Sequence, residues 1–409
     1  MKEGFDTGDQ VTCNYAGDKR KGTFITLRDG KAVIKLDNGY NIGIDASFCR
    51  VSEHATPRVQ RTVEFPQDPC LPVLSIVSTG GTIASRIDYR TGAVTSQFDA
   101  NDILTAIPGL GAIARYRTRQ LYQILSENMT PLIWQELARA IHEEVRKGAE
   151  GVIVTHGTDT MSYTAAALSF MVQSPVPIVL VGSQRSADRP SSDNVMNAVC
   201  SAAAATGDLG EVAVVMHATT SDDRCAVHRA TRVRKMHTSR RDAFKSIGIP
   251  PIGHVEYPSL KVSLGSAAVR RGTHDLVLAD RLEEDCRLIY FVPGMPASIL
   301  EPYQGCRGLV LAGTGLGHVS ADWIEGLGDM VEEGTVVVMT SQCLHGRVCD
   351  RVYDTGRDLL KAGVIEGGDM LPEVALVKLM WLTGENDDRE VISSLVKQNL
   401  RGECMRRSL

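Results

Sequence analysis

Missing from this chain are the usual marks of export, membrane residence, metal binding and nucleotide binding. Its start, MKEGFDTGDQ, has neither a basic n-region nor an apolar h-region, and no apolar run approaches the ~18 residues of a membrane span. A cytoplasmic protein is expected. The ten cysteines are scattered without a CxxC pair, which points to reduced, packed thiols and to neither disulfides nor structural zinc. The ten histidines form no HExxH, so His142, His228 and His237 read as surface or packing residues and no metal is expected. No GxxxxGK[ST] segment is present, and GTGLG at Gly313 to Gly317 lacks the last glycine of GxGxxG, so it reads as a turn. A net charge of -5 and a pI near 6.1 exclude a generally basic nucleic-acid binder while leaving room for local patches.

What is present describes a multi-domain enzyme, since 409 residues exceed one ordinary domain and 43% hydrophobic content supports large cores. Residues 1–60 contain short strand patterns separated by Gly, Asp-Gly and Asn-Gly turn signals, which predict a small β-barrel. Lys19, Arg20 and Lys21 within it are either a solvated loop or an RNA contact. Residues 61–72 are Pro-punctuated and aperiodic, as in a linker. From Val73 onward strands alternate with helices. In TPLIWQELARAIHEEVRKGAEG, Thr130 caps, Pro131 occupies the first turn, Gly148 closes, and Ile133, Leu137, Ile141 and Val145 share one face. GVIVTH, IVLVGS and VAVVMH have the Val/Ile-rich pattern of a parallel sheet covered on both faces. The fold class is therefore α/β, with a catalytic unit over 73–270, a connector over 271–285, and a second unit over 286–409 where RLIYFVP, GLVLAGTG and TVVVMTS are buried strands.

The most informative stretch is VLSIVSTGGTIA, Val73 to Ala84, in which a buried strand runs into paired glycines and exposes hydroxyls at a sheet's carboxyl edge. GVIVTHGTDT, from Gly151, repeats the design. Chemistry at such an edge would need a nucleophile and a base near enough to activate it. Thr82 is the candidate nucleophile, and Thr158 and Asp159 stand ready to assist.

TGGTIA at Thr79 to Ala84 and HGTDT at His156 to Thr160 resemble the two signature motifs of the L-asparaginase family, and LVGSQRSADRPSSDN at Leu180 to Asn194 resembles the segment after them. The resemblance implies a two-domain asparaginase-like α/β fold and a catalytic set of Thr82, Thr158, Asp159 and a later lysine. RVRKMHT aligns with the lysine-bearing segment, which makes Lys235 that residue; burial and the neighbouring Arg232 and Arg234 are expected to weaken its hold on a proton. It also implies that Ser126 of SEN holds a substrate carboxylate, that Glu127 and Asp159 face the substrate ammonium, and that Tyr89 closes on the substrate. KLDNGYNIGI at Lys35 to Ile44 resembles the extra N-terminal domain of the archaeal-type D subunits of glutamyl-tRNA(Gln) amidotransferase. Membership of that group implies a glutaminase that passes ammonia to an E-type amidotransferase partner. The partner would bind ATP and Mg²⁺ and most of Glu-tRNA(Gln), in a heterotetramer containing a homodimer of this chain; no cofactor is expected in this chain itself. The alternative is a free-standing L-asparaginase.

Overall fold

The computed structural model describes residues 5–54 except 7, 16, 29, 38 and 39, then 68–80, 86–87, 94–95, 104, 106–185, 189 and 191–407. Thr82 and Tyr89 lie outside the described residues. No helix among those described is long and apolar enough to cross a membrane.

Alternation of apolar and polar residues builds the N-terminal unit. Strands β1 (Gln10–Tyr15), β2 (Asp18–Arg28), β3 (Lys31–Leu36), β4 (Asn41–Asp45) and β5 (Cys49–Glu53) form an antiparallel sheet in the order β4-β3-β2-β1-β5. Period two sends Val11, Cys13, Phe24, Ala32, Ile34, Ile44 and Cys49 to one buried face. The other is mainly polar, with Val33 among its residues.

The catalytic unit is centred on an eight-stranded sheet. Its strands are β6 (Val73–Ser78), β7 (Arg115–Gln120), β8 (Gly151–Thr155), β9 (Ile178–Val181), β10 (Val212–His217) and β11 (Arg224–Arg229). β12 (Val233–Lys235) and β13 (Phe244–Ser246) form a separate ribbon, and β14 (Gly253–Glu256) and β15 (Val262–Leu264) complete the sheet. The order is β15-β14-β11-β10-β9-β8-β6-β7. From β7 to β10 neighbours are parallel, as the Val-rich runs predict; β11, β14 and β15 add an antiparallel edge that the sequence reading did not anticipate. Helices α1 (Pro131–Arg146), α2 (Met161–Met171) and α3 (Asn194–Thr206) cover it. In α1, Thr130 Oγ1 accepts from Ile133 N at 3.3 Å, and Gly148 takes φ 83° just beyond the end.

The last unit is a parallel sheet, β16 (Cys286–Tyr290), β17 (Gly308–Gly313), β18 (Val336–Ser341) and β19 (Ile365–Glu366), in that order. Helix α4 (Trp323–Glu332) seals one side with Trp323 and Leu327. Helix α5 (Pro372–Glu385) packs the other side, and its Val374, Val377 and Leu379 join Leu168 and Phe170 of α2 in one apolar core. Because this core is shared, the strands bearing the candidate site are held against the C-terminal unit by hydrophobic burial.

Candidate active site

Parallel pairing places Ser78 beside Thr155, so the strand ends of the two Thr-rich motifs are neighbours at one sheet edge. Thr155 Oγ1 donates to Ser78 Oγ at 2.9 Å, and Thr79 donates through both its backbone N–H and its hydroxyl to Thr155 O, each at 3.1 Å. The chain then turns through Gly80, whose φ is 129°. A Cβ there would stand 2.4 Å from Ile124 O, so both the dihedral and the space demand glycine. This tight pairing fixes the backbone up to Gly80.

The second motif is seated from below. Thr160 Oγ1 donates to Ser126 O at 2.6 Å, and a Cβ at Gly157 would come within 2.8 Å of Ser126 Cβ, so HGTDT lies directly on the SEN turn. Ser126 is buried there while Glu127 is exposed beside it. A Cβ at Gly182, past the end of β9, would come within 2.8 Å of Thr158 Cγ2, so that glycine makes room for the threonine.

His156 anchors the same loop. Gly157 O can only accept, so the 2.6 Å contact from His156 Nδ1 is a donated hydrogen bond; Nε2 then accepts from Thr164 Oγ1 at 2.8 Å, and that hydroxyl accepts from Trp134 Nε1 at 2.9 Å. Burial pushes the imidazole down to about 4, so the ring stays neutral and the relay keeps one direction. Sequence reasoning did not single out His156, although its place inside HGTDT was the available signal.

Lys235 reaches this loop from β12. Its Nζ donates to Thr158 Oγ1 at 3.0 Å and to Asp159 Oδ1 at 2.6 Å. The lysine side chain is 13% exposed and the Asp159 side chain 70%, so a largely covered amine meets a carboxylate open to solvent. Three residues named from sequence therefore converge from two segments separated by more than seventy residues.

The surroundings of Lys235 differ from the expectation. The buried guanidinium of Arg232 is engaged elsewhere, donating to Asp369 Oδ2 and Asp369 O, both at 2.9 Å, and to Gly402 O at 3.1 Å. Arg234 stands 3.5 Å from the buried Glu373 carboxylate, and Arg229 pairs with Glu211 at 2.7 Å. Each of these three arginines has its own carboxylate, so none of them stands as an unpaired positive charge. The C-terminal tail completes the brace: Thr231 Oγ1 donates to Arg401 O at 3.0 Å, and Met405 N donates to Asp369 Oδ1 at 2.9 Å.

A second buried network that sequence reasoning missed supports the loop after β9. Asp193 accepts from Ser183 Oγ, Gln184 N, Arg185 N and Asn197 Nδ2 at 2.8 to 3.0 Å. Asn197 Oδ1 in turn accepts from His217 N at 3.1 Å and lies 2.6 Å from His217 Nδ1.

Comparison with known proteins agrees with this architecture. Residues 73–267 match the family "Asparaginase, N-terminal", residues 285–396 the "Glutaminase/Asparaginase C-terminal domain" and residues 5–52 the "GatD N-terminal domain". The glutamyl-tRNA(Gln) amidotransferase D subunit of Halobacterium salinarum is 52% identical, covering 94% of this chain and 95% of its own. The D subunit of Archaeoglobus fulgidus is 54% identical, covering 97% of this chain and 94% of its own. Among solved structures, the thermostable L-asparaginase from Thermococcus kodakarensis matches with a TM-score of 0.73 and 32% identity, over 81% of this chain and 99% of its own. L-asparaginase I from Vibrio cholerae matches with a TM-score of 0.70 and 28% identity, over 82% and 100%. With an asparaginase-like body and a further N-terminal sheet, the chain belongs to the family of glutamyl-tRNA(Gln) amidotransferase D subunits.

Proposed function

We propose that this chain is the glutaminase of a tRNA-dependent amidotransferase, releasing ammonia from glutamine for the conversion of Glu-tRNA(Gln) to Gln-tRNA(Gln). The observation that carries the reading is the meeting of Lys235, Thr158 and Asp159 in a chain whose relatives, at about half identity over nearly full length, are amidotransferase D subunits.

The chemistry assigned to the residues is acyl transfer. Thr82 attacks the side-chain amide carbon and forms an acyl-threonine; Thr158 accepts a proton, and Lys235 and Asp159 relay it to the departing ammonia. Water then hydrolyses the acyl group through the same relay to give glutamate. Ser126 and Glu127, adjoining the HGTDT loop, and Tyr89 are assigned to the substrate's carboxylate, ammonium and enclosure respectively, with Asp159 also facing the ammonium. Activating the glutamate carboxylate on tRNA requires ATP and Mg²⁺, which the reading gives to an E-type amidotransferase partner. The assembly is a heterotetramer in the cytoplasm, built around a homodimer of this chain.

A second reading, a free-standing L-asparaginase, is favoured by the likeness of the body to solved asparaginases, but it leaves the N-terminal sheet without a task. Co-expression with the partner, followed by supply of Glu-tRNA(Gln), glutamine, ATP and Mg²⁺, separates the two. Gln-tRNA(Gln) forms, Thr82→Ala stops it, and free ammonium restores it. Rapid asparagine turnover with no stable complex would establish the second reading instead.

A further inference from the structure

We propose that the outward face of the N-terminal sheet is a sequence-independent landing surface for RNA phosphates. The inference rests on the amidotransferase reading only for which RNA is met.

Strand register, rather than the local run of charges, makes the surface. Thr12 on β1 lies between Lys21 of β2 and Arg50 of β5, so a positive side chain flanks a hydroxyl on each side. Asn14 is opposite Lys19. Along the next row Gln10, Thr23, Lys35 and Asn41 succeed one another across four strands, and Lys31 occupies the far end opposite Asp45. These positions alternate with the buried Val11, Cys13, Ala32 and Ile34, which commits them to the opposite side of the sheet. Lys19, Lys21, Lys31 and Arg50 are exposed. The face thus presents Lys19, Lys21, Lys31, Lys35 and Arg50 against Asp45 and Glu53, in a chain whose net charge is -5. Asp45 is partly engaged in its own turn, where its Oδ1 accepts from Ser47 N and Ser47 Oγ. Arg20, the middle residue of the basic triplet, pairs with Asp18 and lies on the other register.

The composition of this face selects the partner. Protein interfaces concentrate aromatic and apolar anchors at their centre and are depleted of lysine. Here Val33 is the large apolar residue among these register positions, and lysine, present four times, is the commonest residue. Lysine and arginine interleaved with Thr, Asn and Gln are the groups that hold phosphate and sugar oxygens without reading bases.

The test is equilibrium binding of the full chain to a labelled, unmodified tRNA transcript as salt rises from about 50 to 200 mM. Wild type binds at low salt. The triple variant Lys21→Gln, Lys31→Gln, Arg50→Gln binds about tenfold or more weakly, and its slope of log affinity against log salt falls by roughly 0.7–0.9 per lost contact. A charge-matched control, Lys361→Gln, Arg389→Gln, Lys397→Gln, leaves binding unchanged. Both variants retain the wild-type melting temperature and ammonia release. Absence of binding by wild type, equal binding by the triple variant, or equal loss in the control would overturn the proposal. So would loss of partner association with RNA binding intact, which would make the face a protein interface. If the amidotransferase reading itself were wrong, the wild-type complex would fail to amidate Glu-tRNA(Gln), whereas failure of this proposal leaves that reaction in place.

Discussion

Lys235 Nζ donates a 3.0 Å hydrogen bond to Thr158 Oγ1, joining positions 77 residues apart in the sequence. Replacing the lysine with alanine is expected to lower kcat by about 10²–10⁴ while leaving glutamine binding within a few-fold, because the proposed mechanism gives the amine a task in proton transfer rather than in ground-state recognition. Lys235→Arg is not expected to rescue, since a guanidinium stays protonated and has another shape. Pre-steady-state ammonia release together with substrate titration checks both; wild-type turnover in Lys235→Ala would remove the amine from the mechanism.

Gly80→Ala tests the other half of the site. The new Cβ meets a backbone carbonyl at 2.4 Å and sits on a φ of 129°, so neither a rotamer change nor a small shift relieves it. A stability loss of more than ~2 kcal/mol is expected, together with loss of glutaminase activity. Melting and turnover measured on the same sample decide it. Gly148→Ala is the control: it has a similarly positive φ but open space around its Cβ, so it carries only the backbone strain and retains activity.

Asp350 gives a pH-dependent prediction. Its buried carboxylate lies 3.8 Å from His318 Nδ1, and both of its oxygens lack a hydrogen-bond partner among the described residues. Burial, with the nearby Glu366 charge, pushes the carboxyl up to about 7. Between pH ~4 and ~7 the native state therefore holds a proton that the unfolded chain has released, so this group makes stability fall as pH rises through that window and stay low above it. Asp350→Asn is expected to raise Tm by roughly 5 °C at pH 8 and by nearly nothing at pH 4. Thermal melts at the two pH values check it, and an equal gain at both would disprove the assignment.

Arg232 and Asp369 form a buried ion pair whose loss on one side is costly. Arg232→Met is expected to destabilise by ~3–5 kcal/mol, because Asp369 is left buried without its partner, and to lower kcat through the displaced β12. The double variant Arg232→Met, Asp369→Leu should recover a substantial part of the stability. Denaturation of both variants, compared by a double-mutant cycle, measures the coupling.

Much of the fold was legible because its determinants are local. Val-rich strands, the Thr130 cap and the glycine turns repeat familiar periodicities, and the motif around Thr158 and Asp159 announces its own strand end. The β11, β14 and β15 edge was not legible, since short strands such as Gly253–Glu256 carry too little alternation to reveal antiparallel partners. The carboxylate partners of the arginines near Lys235 were not legible for a similar reason. Arg232, Arg234 and Lys235 are consecutive or nearly so in sequence, but the carboxylates that neutralise the two arginines lie on the far side of the chain, Asp369 being 137 residues from Arg232. His156 and Asp193 carry hydrogen-bond networks whose partners come from three or more segments, and sequence patterning is blind to those.

The brace on β12 has a consequence in the order of synthesis. Arg232 and Thr231 donate to the carbonyls of Gly402 and Arg401, so the strand carrying Lys235 is secured by residues 170 positions further along the chain. The ribosome delivers the main sheet, the Thr158 loop and the lysine long before it delivers that clasp. A nascent chain can thus pair the strands of its main sheet while the amine is still unbraced, and Lys235 gains its clasp only once that later segment has been made.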